Sequence, residues 1–258
     1  MLKRILVLAA IAAVVPAFLA ASPAMADDGF KDGQKKEIRK IIRDYLIKNP
    51  EVIVEALREM RRREQAAKVA AAKKAISQSH AALLKNASDP VGGNKKGDVT
   101  VVEFFDYNCG WCKRTYTHMK AAVKSDGNVR VVYKEFPILA PSSRLAARAA
   151  LAARKQGKYE EMHDMLMTHR GALDEAKIMA IAEKAGLNIQ QLKTDMKSPE
   201  VEAAIASNMA LARKLNIGGT PAYIIGGKLI PGFMRAGQFI SEINRTRKEC
   251  TEKKIAVC

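Results

Sequence analysis

The feature that most constrains the fold is a buried strand followed closely by two cysteines. Residues 99–105, VTVVEFF, form a near-continuous run of β-branched and aromatic residues, which is typical of a strand covered on both faces. Cys109 and Cys112 follow with the spacing CxxC, and helical periodicity resumes at Lys113. The sequence therefore predicts a cysteine pair at a strand-to-helix junction.

A CxxC pair can be half of a metal site, a structural disulfide or a redox centre. A structural zinc site needs four ligands, usually from two such pairs or from nearby histidines. The other two cysteines lie at the far end of the chain and the histidines are scattered, so we expect no metal site and no cofactor. An inert disulfide is disfavoured because a two-residue spacing closes a small, strained ring. We expect the histidines to be ordinary, partly exposed side chains: His80, His118, His163 and His169.

A redox role has a physical mechanism at such a junction. Unpaired N–H groups and the helix dipole at a helix N-terminus stabilise a thiolate, so Cys109 is the predicted nucleophile. Cys112, one turn later and turned inward, would resolve a mixed disulfide. Gly110 would permit close approach of a substrate backbone, and Trp111 offers a ring surface beside the sulfur.

Two further segments fit this interpretation. Glu103 lies in the buried strand, where an ionisable side chain is costly. It is predicted to shuttle the proton of Cys112, and an outward-facing strand residue is the alternative. Thr220 and Pro221 stand directly before the apolar strand 222–225. A cis bond there would suit a tight turn facing the cysteines, and a plain trans turn is the alternative.

The N-terminal residues indicate export. Two basic residues, an apolar run over 5–20 and Ala-Met-Ala at 24–26 are typical of a cleaved secretory signal peptide, with an uncleaved anchor as the alternative. We therefore expect residues 1–26 to be removed. The full chain has a net charge of +17 but only 5% aromatic residues and no stacking motif, so no nucleic-acid partner is expected. Because exported compartments are oxidising, Cys250 and Cys258 are predicted to form a structural disulfide, with a relay redox pair as the alternative.

Residues 27–85 are predicted to form a helical arm that associates with copies of itself. Apolar residues recur at helical spacing in 34–48 and again in 51–60, whereas 61–78 is Ala-rich and charged with little to bury. Apolar faces on short helices need a partner, so self-association is favoured over a solvated basic arm. The two faces are Ile38/Ile41/Tyr45 and Ile53/Leu57/Met60.

The order of elements after a turn-rich boundary at 86–98 predicts the fold class. It runs strand, helix, strand, a helical block over 142–214, a hairpin at 222–230 and a closing helix. This order predicts an α/β, thioredoxin-like domain over 86–258 with an all-helical insertion, preceded by the N-terminal helical oligomerisation arm.

With these motifs in place, the chain resembles the DsbA-like thiol–disulfide oxidoreductases of the bacterial periplasm. The resemblance is carried by VEFFDYNCGWCK at 102–113, the helical insertion and GTPAYIIGG at 219–227. The arm resembles the N-terminal segment of ScsC-like proteins (suppressors of copper sensitivity), which are trimeric through this region and can act as disulfide isomerases. The residues that the resemblance assigns are the catalytic pair Cys109 and Cys112, the buried acid Glu103 and the cis-proline loop Thr220–Pro221.

The resemblance implies periplasmic action on exported, cysteine-containing proteins. A homo-oligomeric isomerase or reductase, with a trimer favoured, is the first hypothesis because linked active sites suit the shuffling of wrong disulfides. It would need a membrane redox partner that keeps it reduced. A DsbA-type dithiol oxidase is the second, although Gly-Trp replaces the Pro-His of DsbA between the cysteines and so lacks a thiolate-stabilising histidine. A copper protein holding Cu(I) on the two thiolates is the third.

Overall fold

A computed structural model describes residues 29–253 of the chain. The predicted signal peptide at 1–26 and Cys258 lie outside these residues. Within this range no helix has the length and apolarity that a bilayer span requires. The chain divides after Met60, inside its second helix, into two compact units.

The first unit contains helix α1 (Asp32–Lys48) and the first part of α2 (Glu51–Gln78). Helix α1 ends where the N–H of Asn49 donates to the carbonyl of Tyr45. Pro50 lies directly before the first residue of α2. No residue of α1 is buried. Large apolar side chains are between 43 and 65% exposed in the described structure of this unit: Phe30, Ile41, Ile42, Tyr45, Ile47, Ile53, Val54, Leu57 and Met60.

The second unit is built on a five-stranded sheet in the order β1-β3-β2-β4-β5. The central strands β2 and β3 are parallel, and every other pairing is antiparallel. The strands are β1 (Val91–Gly93), β2 (Val99–Phe105), β3 (Val129–Glu135), β4 (Ala222–Ile225) and β5 (Lys228–Pro231). Strand β1 was not predicted, because two of its three residues are glycines and only its pairing with β3 defines it.

The helices of the second unit cover both faces of this sheet. The predicted helical block is present as five α-helices and a short 3-10 turn between β3 and β4. The α-helices are α3 (His80–Leu84), α4 (Gly110–Asp126), α5 (Pro141–Ala153), α6 (Tyr159–Thr168), α7 (Glu175–Lys184), α8 (Ile189–Asp195), α9 (Pro199–Lys214) and α10 (Ala236–Lys253).

Strand β2 separates two hydrophobic cores because successive side chains point to opposite faces of a sheet. Val101 and Phe105 belong to the core that also contains Cys109 and Cys112. Val102 and Phe104 belong to the other core. Since Glu103 alternates with Val102 and Phe104, its side chain lies on the face of the cysteines.

The end of the predicted arm belongs to this second core, which corrects the expectation that residues 61–78 have little to bury. Ile76 on α2 and Leu83 on α3 are 2 and 0% exposed and pack with the sheet. The buried Lys134 on β3 donates to the carbonyl of Ala82 (2.6 Å) and to the carboxylate of Asp89. The sequence pattern missed this because the covering residues are distant in the chain.

Candidate active site

The loop that carries the cysteines is fixed by Asp106, directly after β2. One carboxylate oxygen accepts the N–H of Asn108 (2.8 Å), and the other accepts the N–H groups of Ile138 (2.8 Å) and Leu139 (2.9 Å). These bonds join the cysteine loop to the connection between β3 and α5. Sequence reasoning did not select Asp106, although Asp-Tyr-Asn after a strand is a usable signal of an Asx turn.

Cys109 is the N-cap of helix α4, and Cys112 lies in its first turn. The backbone at Cys109 is extended, and its Sγ accepts the N–H of Cys112 at 3.2 Å. The Cys109 thiol also lies 3.3 Å from the carbonyl oxygen of Thr220, to which it donates. Neither cysteine is in a disulfide bond in this structure. Cys109 is 5% exposed, whereas Cys112 is fully buried.

The surroundings of the two thiols move their pKa values in opposite directions. The side-chain hydrogen bond with Cys112 is the largest influence on the pKa of Cys109. Together with the hydrogen bonds to Thr220 and to the backbone it outweighs burial, so the pKa of Cys109 falls to about 6. Burial raises the pKa of Cys112 far above its ordinary value. At neutral pH, therefore, only Cys109 is a thiolate and a competent nucleophile.

The two residues between the cysteines leave the sulfur approachable. A side chain at Gly110 would meet nothing within 4 Å, so glycine is not required by the packing there and leaves an open surface. Trp111 is 54% exposed, and its ring centroid lies 5.8 Å from the ring centroid of Phe233. The Arg114 guanidinium lies 4.8 Å from the centroid of the Trp111 ring. An exposed, electron-rich ring thus stands two residues after the reactive cysteine in the chain.

The Thr220–Pro221 peptide bond is cis, as predicted. The bond stands directly before β4, which pairs with β2, and the Pro221 carbonyl accepts the N–H of Gly232 at 2.8 Å. This pairing brings the loop to the cysteine end of β2, where the Thr220 carbonyl meets Cys109. The structure thereby brings together Cys109, Cys112, Glu103 and the cis-proline loop.

Glu103 is completely buried, so the outward-facing alternative is wrong. Its Oε1 accepts the Tyr223 hydroxyl at 3.0 Å, and its Oε2 has no hydrogen-bond partner among the described residues. Burial raises the pKa of this carboxyl to about 8, against the hydrogen bond from Tyr223, which lowers it. Its charge in turn contributes to the raised pKa of Cys112. A carboxyl with this pKa can accept or release a proton near neutral pH.

A second buried acid, Glu135 at the end of β3, was missed by sequence reasoning. Its Oε1 accepts the hydroxyls of Tyr107 and Tyr159, each at 2.9 Å, and burial raises its pKa well above the ordinary value. Glu135 is, like Glu103, an ionisable residue in a buried strand, and the same feature of the sequence could have identified it.

His163 corrects the expectation that every histidine is partly exposed. It is 1% exposed, and its Nδ1 lies 2.9 Å from the Tyr107 hydroxyl. Because that hydroxyl donates to Glu135, the Nδ1 of His163 is the donor in its contact with Tyr107. Burial lowers the pKa of His163 to about 3.

The pKa of Glu103 predicts how stability depends on pH. The pKa of Glu103 is about 8 in the folded protein, against the ordinary value of 4.5 that applies to the unfolded chain. Between pH 4.5 and pH 8, therefore, the folded state holds a proton that the unfolded chain has lost. The free energy of unfolding should fall as pH rises through this window. Glu103→Gln keeps an acceptor for Tyr223 and should be more stable than the parent at pH 8 by roughly 4 kcal/mol.

Urea unfolding of the reduced proteins between pH 4.5 and 8.5 measures this difference. The exposed Glu183→Gln is the control and should keep the parent's slope against pH. Identical slopes for Glu103→Gln and the parent would contradict the assignment of this pH dependence to Glu103.

The C-terminal cysteines lie away from this site in the sequence. Cys250, on α10, is disulfide-bonded, and its predicted partner Cys258 lies outside the described residues. The pairing of these two cysteines stays a prediction.

The fold and the site together define a thiol–disulfide oxidoreductase with a thioredoxin-like fold. The DSBA-like thioredoxin domain family matches residues 100–244, and the chain belongs to this family. The Copper resistance protein ScsC N-terminal domain family matches residues 34–67, within the predicted arm. The α/β, thioredoxin-like fold with a helical arm and the redox-enzyme class are thus confirmed.

Solved structures support the same class. A thioredoxin-like oxidoreductase from Silicibacter pomeroyi is 49% identical over 65% of this chain and 97% of its own, with a TM-score of 0.64. ScsC of Proteus mirabilis in a transitional conformation is 28% identical over 85% of this chain and 100% of its own, with a TM-score of 0.63. BcfH of Salmonella enterica Typhimurium is 28% identical over 83% and 96%, with a TM-score of 0.70.

The curated relatives that match are longer proteins of another description. The Na(+)/H(+) antiporter NhaA 1 of Salinispora arenicola is 30% identical over 142 residues, which is 54% of this chain and 22% of the relative. NhaA of Herminiimonas arsenicoxydans is 25% identical over 62% of this chain and 26% of its own length. This chain therefore spans about a quarter of the length of these relatives.

Proposed function

We propose that this protein is an oligomeric disulfide isomerase or reductase acting on exported, cysteine-containing proteins in the bacterial periplasm. The observation that carries the proposal is the arm, which matches the ScsC N-terminal domain and leaves its large apolar side chains exposed in the single chain. Packing against copies of itself would cover them, and a trimer is the assembly favoured by the likeness to ScsC. The export pattern at 1–26 supports the compartment.

Catalysis begins with the Cys109 thiolate in the proposed mechanism. It attacks one sulfur of a substrate disulfide, the substrate S–S bond breaks, and the departing sulfur leaves as a thiolate while Cys109 is joined to the other. In isomerisation, a substrate thiolate later displaces Cys109 and forms a different disulfide. No net oxidation occurs, and Cys109 returns as a thiolate.

Reduction of the substrate uses the second cysteine. The Glu103 carboxylate accepts the proton of Cys112, and the resulting thiolate attacks Cys109, which frees the second substrate sulfur. The enzyme then carries a Cys109–Cys112 disulfide, and two electrons from a membrane redox partner must return it to the dithiol. The pKa of about 8 at Glu103 suits this transfer because it lies close to the working pH.

The Cys109 pKa of about 6 supports a moderate redox character. It lies between the values of about 7 for thioredoxin and about 3.5 for DsbA, and a lower pKa stabilises the reduced form and makes the disulfide more oxidising. A dithiol oxidase is the second candidate, and the lowering of this pKa below the ordinary thiol value is the observation that favours it.

The redox state of the pair in living cells tests the proposal. We expect Cys109 and Cys112 to be mostly reduced when cells are acid-quenched and free thiols are alkylated, because an isomerase needs a free Cys109. Purified protein should also reactivate a scrambled substrate, and Cys109→Ala is the inactive control. A pair that is mostly oxidised in cells would make the oxidase the leading function.

A further inference from the structure

A cleft of about 790 Å³ lies beside the reactive cysteine, and all the charged side chains that line it are positive. It is lined by the first turns of α4 and by the end of α6 with the residues that follow. The cationic side chains are Lys113, Arg114 and Arg170. No carboxylate is among the lining residues that the structure describes.

The cleft adjoins the position where a substrate must bind. Gly110, the residue after Cys109, is part of its lining and is exposed. A polypeptide whose cysteine has reached Cys109 can therefore continue across Gly110 into the cleft. Phe233 and Met167 add apolar surface to the same lining.

Two of the three cations, Lys113 and Arg114, contact other groups of the protein. Lys113 Nζ donates to the carbonyl of His169 at 2.7 Å, which joins α4 to the segment after α6. The Arg114 guanidinium lies 4.8 Å from the centroid of the Trp111 ring. Neither contact uses an acid, and the carboxylate that acts on Lys113 is Asp106, which lies outside the lining.

The acids near the cleft have other partners. Asp106 is 1% exposed, and its oxygens accept three backbone N–H groups on the buried side of the loop. Asp164 is bound to Tyr116 and Lys120 in a different cleft. The positive potential at the mouth of the site is therefore not offset from within the lining.

We propose that this basic cleft binds carboxylate-bearing segments next to the substrate cysteine, so that the enzyme selects disulfides in acidic sequence. The inference rests on the proposed disulfide exchange and specifies its substrate class. Single exposed ion pairs contribute little, but several like charges in one cleft steer association and raise its rate. The selection should therefore appear in the second-order rate of reaction with Cys109.

Two peptides that share one cystine-containing scaffold test the proposal, one with glutamates and the other with glutamines beside the cystine. The reduced full-length protein should react with the acidic peptide on the order of tenfold faster at low ionic strength. The ratio of the two rates should shrink as salt is added. Arg114→Gln/Arg170→Gln should bring the ratio close to one, and Arg114→Glu/Arg170→Glu should invert it.

The control separates this cleft from the general positive charge of the protein. Lys184→Gln/Lys193→Gln removes the same two charges from exposed positions on α7 and α8 that do not line the cleft, and it should keep the parent's ratio. If the parent reacts with both peptides at the same rate, the proposed selection of acidic segments is wrong. The same holds if the control variant loses the preference for the acidic peptide as fully as the arginine variants do. Neither result would contradict the proposed disulfide exchange. Absence of exchange with either peptide would defeat the proposed function and the inference with it.

Discussion

Cys112→Ala is expected to accumulate covalent complexes with exported proteins, whereas Cys109→Ala forms none and loses disulfide exchange by at least about a thousandfold, or 4 kcal/mol. The asymmetry follows from burial and ionisation. Cys109 is the sulfur with a lowered pKa and some exposure, and Cys112 is fully buried with a raised pKa. Without Cys112 the mixed disulfide on Cys109 has no neighbouring thiol to resolve it.

Non-reducing gels of acid-quenched cells, followed by mass spectrometry of the trapped species, measure this outcome. Cys250→Ala/Cys258→Ala is the matched control, since it removes the other two cysteines, and it should trap nothing and keep exchange at the parent's rate. Equal trapping by Cys109→Ala and Cys112→Ala would refute the assignment of the nucleophile. Loss of exchange in the control would favour a relay role for the C-terminal pair.

The sequence was sufficient for features whose cause is local. The CxxC pair, the strand before it and the proline before β4 were found because each follows from spacing or backbone chemistry. Glu103 was found because a carboxyl in a continuous apolar run is costly. These residues converge in the structure since β2 pairs with β4.

Features set by distant packing could not be read in the same way. Strand β1 exists through its pairing with β3, and two glycines hide its pattern. His163 is buried by aromatic rings contributed from several elements, including Tyr133, which lies 4.5 Å away between ring centroids. Ile76 is isolated in a charged helix, and only the sheet beneath it shows that it is core.

The burial of Ile76 and Leu83 decides where the arm can be cut. Deleting residues 27–85 removes both side chains and the Ala82 carbonyl that accepts from the buried Lys134. Each apolar side chain contributes about 1.5–3 kcal/mol by burial, so this truncation should fold poorly. A cut after residue 67, where the ScsC-type match ends, keeps these contacts.

Deleting residues 27–67 is therefore expected to give a folded monomer that still exchanges disulfides but loses isomerase activity by on the order of tenfold or more. Linked sites raise the effective concentration of one active site beside another, and a monomer forfeits that advantage. Light scattering, circular dichroism and refolding of a scrambled substrate measure the three properties. Simple dithiol oxidation should be retained because Cys109 and its surroundings are unchanged.

A pair of point variants tests the arm without removing it. Ile41→Glu places a charge on the exposed apolar face of α1, where Ile41 is 60% exposed in the single chain, and should dissociate the oligomer because a charge cannot be buried there without a partner. Lys40→Gln changes the net charge by the same amount at the adjacent position and should leave the assembly intact.

A full-length protein that is already monomeric, or isomerase activity that survives the loss of the arm, would remove the reason for preferring an isomerase. The dithiol oxidase would then be the better account of the same Cys109 thiolate.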